Sequence, residues 1–480
     1  MYCFFKIRIV KSWLVLLITG LTLAYDPALA QENMDTTGLK HLINLDLEQL
    51  LNTKVSIATK SEQSVEQAPS VVTVITQKEM QNMGARELYD VLQYVPGFEL
   101  SKNYFGNVLM GVRGVKDPRF TLKVLLLIDG MPANEICFGG AISYGYQEDI
   151  NNIERIEIIR GPGSAMYGRN AFSAVINIIT KTGESDKGIT AKAELGTFNT
   201  YSGTLAYGYV KNGIDLHING RMLKSDCSDQ FYPGTTDKWA LSQNNQYIDA
   251  NFGYKGIRFS GSFLNQNMGR REIGAQINKA GNYGLEFQKS LTKKLEYKVR
   301  FYGQNANRIQ ELTAVPPNAT APNGIILRPV FDEYLYGGEA EISVHASKGN
   351  DFSFGMHGDV NGVKNAYIYS DFSFADGSIY PGIGWDNLKK WEPGFIKDNG
   401  HNYSNLAVYM LDVWYPVKKL GFTLGARYDY EKQIGGIFNP RLGLVWNLVP
   451  KRLFQIVVWF SLSITSLCPA ICNYGLVNWQ

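Results

Sequence analysis

From Glu184 to Trp446 the chain alternates apolar and polar residues, one by one, in runs that read as β-strands. Leu295, Tyr297, Val299 and Phe301 fall on one side of an extended chain, with Glu296, Lys298 and Arg300 on the other. Phe422, Leu424, Ala426, Tyr428 and Tyr430 alternate likewise with Thr423, Gly425, Arg427 and Asp429, and residues 214–219 and 336–345 repeat the pattern. A period of two is what a strand with one apolar and one polar face requires. Between Gly188 and Trp446 we count about twelve such strands, of the length that crosses a bilayer. Short turns at Lys211-Asn212-Gly213 and Tyr254-Lys255-Gly256 join strands, and the polar stretches Lys224 to Asn245, Ile309 to Asp332 and Asn361 to Asn402 are expected to be long loops. An apolar outer face, a polar inner face and tyrosine near strand ends fit a barrel in lipid around a wet lumen. A soluble β-sandwich or solenoid also alternates, so this pattern alone leaves both open.

Upstream the pattern is mixed. Residues 153–160 are β-prone, Gly161-Pro162-Gly163 stops them, and residues 174–181 resume. Pro162 lacks a donor and the glycines permit positive φ, which makes the stop a turn. Taken alone, GPGSAMYG is equally an ordinary hairpin loop. It is no phosphate loop, since no Gly-Lys-Ser/Thr follows, and no nucleophile elbow, since the Gly-x-Ser-x-Gly spacing is broken. Val71 to Ile75 reads as a strand, after which Thr76 caps a helix, with Glu79 completing a capping box. Arg86 to Tyr94 reads as a second helix, ended by Pro96-Gly97. The apolar run Val124 to Ile128 predicts a strand buried on both faces, and Asp129-Gly130 a turn.

The first thirty residues predict a cleaved secretory signal: Lys6, Arg8 and Lys11, then a short apolar core, then Ala28-Leu29-Ala30 ahead of Gln31. Residues 31–60 are polar, with one short helical candidate and one β-prone pentamer, Val55-Ser56-Ile57-Ala58-Thr59. Composition supports the barrel. Gly 48, Tyr 28 and Phe 24 accompany only 19% charged residues, and glycine and aromatics in short alternating runs are what membrane barrels use. A net charge of +3 without a basic cluster gives no reason to expect nucleic acid. Neither a Cys-x-x-Cys nor a His-x-His cluster occurs, so no metal site and no cofactor are expected. A Cys137–Cys227 disulfide is permitted by an exported location and by nothing else. Asp129 has no base or nucleophile near it in sequence, which argues against catalysis.

The run IERIEIIRGPGSAMYGRNAFSAVINIITK, residues 153–181, resembles the end of the plug domain of TonB-dependent outer-membrane receptors. LYDVLQYVPG, the VRG at Val112-Arg113-Gly114 and the VLLLIDG ending at Asp129-Gly130 resemble further parts of the same plug. The resemblance implies an N-terminal α+β plug domain and an all-β transmembrane barrel, in the order signal peptide 1–30, periplasmic extension 31–60, plug 61–183, barrel 184–447 and tail 448–480. It implies that Val55, Ser56, Ile57, Ala58 and Thr59 are the TonB box, a strand-forming segment for the TonB energy-coupling protein. It marks Arg113, Gly114, Asp129, Gly130, Arg160, Gly161, Pro162, Tyr167, Gly168 and Asn177 as plug motif residues, and assigns Arg113 and Arg160 to a charged, movable tie between plug and barrel wall. Energised uptake of a scarce bulky ligand across an outer membrane of Gram-negative type would follow, a ferric siderophore first and cobalamin second, with no bond made or broken.

The resemblance also leaves a deficit. A plugged transporter barrel has about 22 strands, so the expected barrel is incomplete. After Pro450 the residues stop alternating and include Cys468 and Cys472. Trp459-Phe460 is encoded TGG-TT, so the +1 frame carries Gly there, and residues 454–461 read in that frame as Phe-Lys-Leu-Leu-Tyr-Gly-Leu-Ala, similar to what the family carries after an NPR strand. A frameshift near residue 450 is therefore one expectation, and a genuine apolar terminal strand another. A passive barrel channel and a secreted plug-like fragment are the competing classes.

Overall fold

The computed structural model describes residues 54–55, 63–64, 71–102, 108–116, 121–136, 139–141, 150–161, 163–227, 229–231, 238–240, 242–270, 274–315, 324–347, 349–373, 388–391, 402–417, 419–432, 434–447 and 455–461. The signal segment, Ser56 to Thr59 of the pentamer, Cys137, Pro162, Cys468 and Cys472 lie outside them. Val55 belongs to a two-residue strand, β1 (Lys54–Val55), antiparallel to β2 (Gln63–Ser64).

The plug begins with β3 (Val72–Thr76) and α1 (Gln77–Asn82). Thr76 and Glu79 form the expected capping box, the Thr76 amide donating to Glu79 Oε2 at 2.7 Å. α2 spans Leu88–Leu92, shorter than the apolar spacing predicts. The reason is that the Asp90 carboxylate takes the amides of Arg86 and Glu87, at 2.9 and 3.2 Å, and fixes the start after Glu87. β4 (Phe98–Lys102), β5 (Val108–Val112) and β6 (Val115–Lys116) make a small antiparallel sheet. β7 (Val124–Ile128), β8 (Met131–Pro132), β9 (Ile153–Arg160), the short α3 (Ser164–Tyr167) and β10 (Ala174–Thr180) complete the plug. The main sheet has the order β3-β9-β10-β7-β8, with β10 parallel to β7. As its apolar run predicts, β7 is buried on both faces. Val124 and Leu126 pack with the helices, and Leu125 and Leu127 pack toward the wall.

The wall follows as β11 (Gly188–Gly196), β12 (Thr200–Lys211), β13 (Ile214–Ser225), β14 (Asp229–Phe231), β15 (Lys238–Ala240), β16 (Gln243–Tyr254), β17 (Ile257–Arg270), β18 (Gly274–Thr292), β19 (Leu295–Val315), β20 (Ile325–Ser347), β21 (Asn350–Ser370), β22 (Lys389–Trp391), β23 (Asn402–Val417), β24 (Leu420–Glu431), β25 (Gly435–Asn447) and β26 (Gln455–Ser461). β14 and β15 pair only with each other, and β22 pairs with β21. The other strands pair antiparallel in sequence order from β11 to β26, and no pairing joins these two edges among the described residues. The sheet is thus an incomplete barrel, and the dozen strands expected up to Trp446 are present, followed by β26. Alternation has the predicted sense. Leu406, Tyr428 and Phe438 stand outward, 66%, 47% and 60% exposed, while Asn405, Arg427 and Asn439 point in and are buried.

The loop expectations need correction. Most of Ile309 to Asp332 is strand, and so is Asn361 to Ser370, because β19, β20 and β21 run for 21, 23 and 21 residues. A bilayer needs about 9–11 residues per strand, so these three continue well beyond one. Outside lipid a strand need not alternate, and in Ile325-Ile326-Leu327-Arg328-Pro329-Val330 the alternation lapses around a proline, which reads as a loop signal. Lys224 to Asn245 likewise contains the β14–β15 hairpin.

Candidate functional site

The plug lies against the inner face of the wall, and arginines tie the two at four places among the described residues. The first tie is built on the Asp129-Gly130 turn. Both residues have positive φ, 49° and 78°, the geometry of the two-residue turn that Asp-Gly favours between antiparallel strands. The Asp129 carboxylate accepts from the Thr180 amide at 3.0 Å and its hydroxyl at 2.7 Å, and Asn177 Oδ1 accepts from the Gly130 amide at 3.0 Å. Burial pushes the Asp129 carboxyl above its ordinary pKa, and the Thr180 hydrogen bonds partly offset this. The Asp-Gly turn forms as expected, but the Asp129 carboxylate holds no local amide: it takes that of Thr180, 51 residues away, and so ties the end of β7 to β10. From β19, Arg300 Nη1 donates to the Gly130 carbonyl at 2.9 Å, while its Nε donates to Glu286 at 3.0 Å. A Cβ on Gly130 would stand 2.8 Å from Arg300 Nη1. Glycine is needed here twice, for its backbone angle and for the close approach of the wall.

The second tie repeats this arrangement. Tyr167 ends α3, and Gly168 follows with φ 75°. Arg427 of β24 donates from Nη1 to the Met166 carbonyl at 3.2 Å and is held by Asp429 at 2.8 Å. A Cβ on Gly168 would lie 2.9 Å from Arg427 Nη2. In the third tie the plug supplies the cation. Arg169 reaches Asp359 at 2.5 Å and Glu431 at 3.5 Å. Burial alone would lower its pKa, but the two carboxylates outweigh that and raise it. In the fourth, Arg308 of the wall bonds Glu135 of the plug at 2.8 Å, and Glu333 accepts from the Ile136 amide at 3.1 Å. Near the Thr180 end, Asn251 donates to the Thr180 hydroxyl at 2.9 Å and the Lys181 carbonyl at 3.0 Å. One apolar patch interrupts the polar contacts, where Leu411 and Val413 of the wall meet Val74, Leu125, Leu127 and Met166.

The motif arginines expected to make this tie sit elsewhere. Arg113 and Gly114, φ 51° and 77°, form the turn between β5 and β6, and the Arg113 side chain is exposed beside Gly97. Arg160 donates to the Pro96 carbonyl at 3.0 Å, and its pKa is lowered by burial and by Arg113. Neither meets a wall carboxylate among the described residues. Gly161, φ 143°, donates its amide to the Ser173 carbonyl at 2.9 Å and closes the turn at the head of β10. Asp129, Gly130 and Asn177 are thus brought together, Tyr167 and Gly168 form a second contact, and the Arg113–Arg160 pair a third. Arg300 and Arg427 were visible only as inward-facing residues of alternating strands. Nothing local in the sequence links them to the plug.

Cavities line the seam. One of about 150 Å³ lies among Tyr167, Arg169, Tyr302, His357, Tyr403 and Glu431, toward the rim where the long connections leave the wall. A smaller one of about 70 Å³, beside Arg300, Tyr302 and Arg427, shares Tyr167, Tyr302 and His357 with it. A third, of about 760 Å³, opens at the opposite rim around Arg155, Arg258 and Lys298 and shares Gly130 and Arg300 with the second. The three follow one flank of the plug from rim to rim.

A plug sheet seated inside an antiparallel wall defines a class of protein. Residues 64–175 match the family model for the TonB-dependent receptor plug domain, and residues 189–463 match that for the TonB-dependent receptor-like β-barrel. The chain belongs to the TonB-dependent receptors. It is 29% identical over 262 residues to the vitamin B12 transporter BtuB of Vibrio vulnificus, covering 51% of this chain and 39% of that protein. It is 24% identical over 421 residues to an iron-regulated outer membrane virulence protein of Vibrio cholerae, covering 83% of this chain and 58% of that one. In fold it is similar to the pyoverdine outer membrane receptor FpvA of Pseudomonas aeruginosa, with TM-score 0.63, 14% identity, and 83% of this chain and 63% of that chain covered. The copper transporter OprC gives TM-score 0.64, 14% identity, and 83% and 65% covered. The chain therefore spans less than two thirds of each of these proteins.

Proposed function

We propose that this chain is the plug and part of the barrel of an outer-membrane receptor for energised uptake of a scarce bulky ligand, a ferric siderophore first and cobalamin second. The observation that carries the reading is the seam. A passive channel has no use for a folded domain in its lumen, whereas a plug tied by arginines to carboxylates and carbonyls can exchange those partners for water and move. Relatives named for vitamin B12 transport, iron regulation and pyoverdine binding support the ligand classes. The rim with long connections faces outward in this reading, and the rim with short turns faces the periplasm. Ligand would enter near Arg169 and Tyr403, and the TonB protein would draw on Val55 to Thr59 by strand addition.

Uptake of labelled ferric siderophore or labelled cobalamin, by cells carrying the full chain or the chain without Val55 to Thr59, tests this. Loss of uptake on deletion is expected. Retained uptake would mean a passive pore, and a chain that washes from membranes with urea would mean a secreted fragment.

A further inference from the structure

The two rims of the wall differ in charge. Among the described residues, the hairpin turns between wall strands at the rim of short turns carry Lys211, Lys255, Lys293 with Lys294, and Lys419, while the plug-to-wall link at the same rim, residues 181–187, carries Glu184 and Asp186 beside Lys181 and Lys187. No Asp or Glu occurs in the hairpin turns themselves, residues 211–213, 255–256, 293–294 and 418–419. At the opposite rim the connections mix both signs, with Asp226, Glu272, Asp371 and Lys432 among them. Lys211, Lys255, Lys293, Lys294 and Lys419 are exposed, and none has a carboxylate partner among the described residues. Directly beside them the outward apolar face ends, in Tyr254, Ile257, Leu291, Val417 and Trp446, all exposed. Lys255 Nζ stands 5.0 Å from the centre of the Tyr254 ring.

We infer that this rim is a docking surface for anionic phospholipid headgroups of the leaflet it faces. The inference rests on the wall spanning a bilayer and on neither ligand nor TonB. Aromatic and aliphatic side chains at the end of a lipid-facing band set the depth of the hydrocarbon boundary. An ammonium one or two residues further lies at headgroup level, its stem along the apolar surface. Each such cation is attracted to a negative leaflet. A protein partner would select one patch, whereas these lysines recur turn after turn along the perimeter and adjoin the lipid-facing band. A headgroup layer has that shape.

The test uses the full chain in phosphatidylcholine nanodiscs doped with spin-labelled phosphatidylglycerol or spin-labelled phosphatidylcholine. Selectivity is read from the motionally restricted fraction. A several-fold preference for phosphatidylglycerol is expected, and salt should weaken it. The variant with Lys211→Gln, Lys255→Gln, Lys293→Gln, Lys294→Gln and Lys419→Gln should bring the preference close to unity. A control with Lys224→Gln, Lys364→Gln, Lys389→Gln, Lys390→Gln and Lys432→Gln removes as many charges elsewhere and should leave it intact. Equal loss in both variants would overturn the proposal by reducing the effect to total charge, as a chain bound without inserting would do. No preference in the parent chain would overturn it directly. So would unchanged selectivity in a rim variant that had lost binding to peptidoglycan fragments, a result that would assign the lysines to that polymer.

Discussion

The helix-facing side of the plug sheet and its wall-facing side are built from different materials. On the first, Leu126, Ile156, Ile158 and Ile176 pack with Leu88 and Leu92, all fully buried. On the second, a small apolar patch sits among Arg169, Arg300, Arg308, Arg427 and their oxygen partners. Exposing the first surface forfeits roughly 25 cal/mol for each Å² of apolar area. Exposing the second exchanges protein hydrogen bonds for bonds to water, at a net cost of about 0.5–1.5 kcal/mol for a typical neutral bond and about 1.5–3 for one to a charged group. The difference teaches how a plug can leave its wall without unfolding: its cohesion is apolar and its attachment is polar.

Substitutions should separate the two. Leu126→Ala, in the apolar layer, should destabilise the plug by about 2–5 kcal/mol, seen as protease cutting within residues 71–180 at temperatures where the parent resists. Arg300→Ala should weaken attachment by about 2–3 kcal/mol, by stripping the Gly130 carbonyl and leaving Glu286 without its main partner. Its signature is faster hydrogen exchange around residues 128–132 with the apolar layer still protected. Gly168→Ala should cost about 1–3 kcal/mol, since φ 75° with ψ −128° strains any other residue, and its new Cβ also crowds Arg427. Thermal unfolding would show it as a smaller shift than Leu126→Ala.

The smallest effect tests the reading of Asp129. Asp129→Asn keeps an acceptor for the Thr180 amide and a residue suited to the turn and loses the acceptor for the Thr180 hydroxyl, so stability should fall by about 0.5–1 kcal/mol. Unfolding midpoints of the two proteins would decide it, and a large loss would give the charge itself a role.

Much of this contrast was legible in sequence, unevenly. The apolar run of β7 announced a strand buried on both faces, and Thr76 with Glu79 announced a cap, because both depend on residues close together in the chain. The alternation at residues 422–430 placed Arg427 inward correctly. What could not be read was its partner, since the Met166 carbonyl lies 261 residues away and Asp359 lies 190 residues from Arg169. The overhang of β19 to β21 was hidden for another reason. A strand that has left the bilayer need not alternate, and Pro329 inside β20 reads as a break.

The plug's attachment should open more readily than the plug itself. Hydrogen exchange read by mass spectrometry, on the full chain in nanodiscs, measures both in one experiment. Peptides covering residues 128–132 and 166–170 should exchange markedly faster than those covering Leu125 to Leu127 and Val175 to Ile178. Equal rates in all four would contradict this, because attachment and core would then open as one unit.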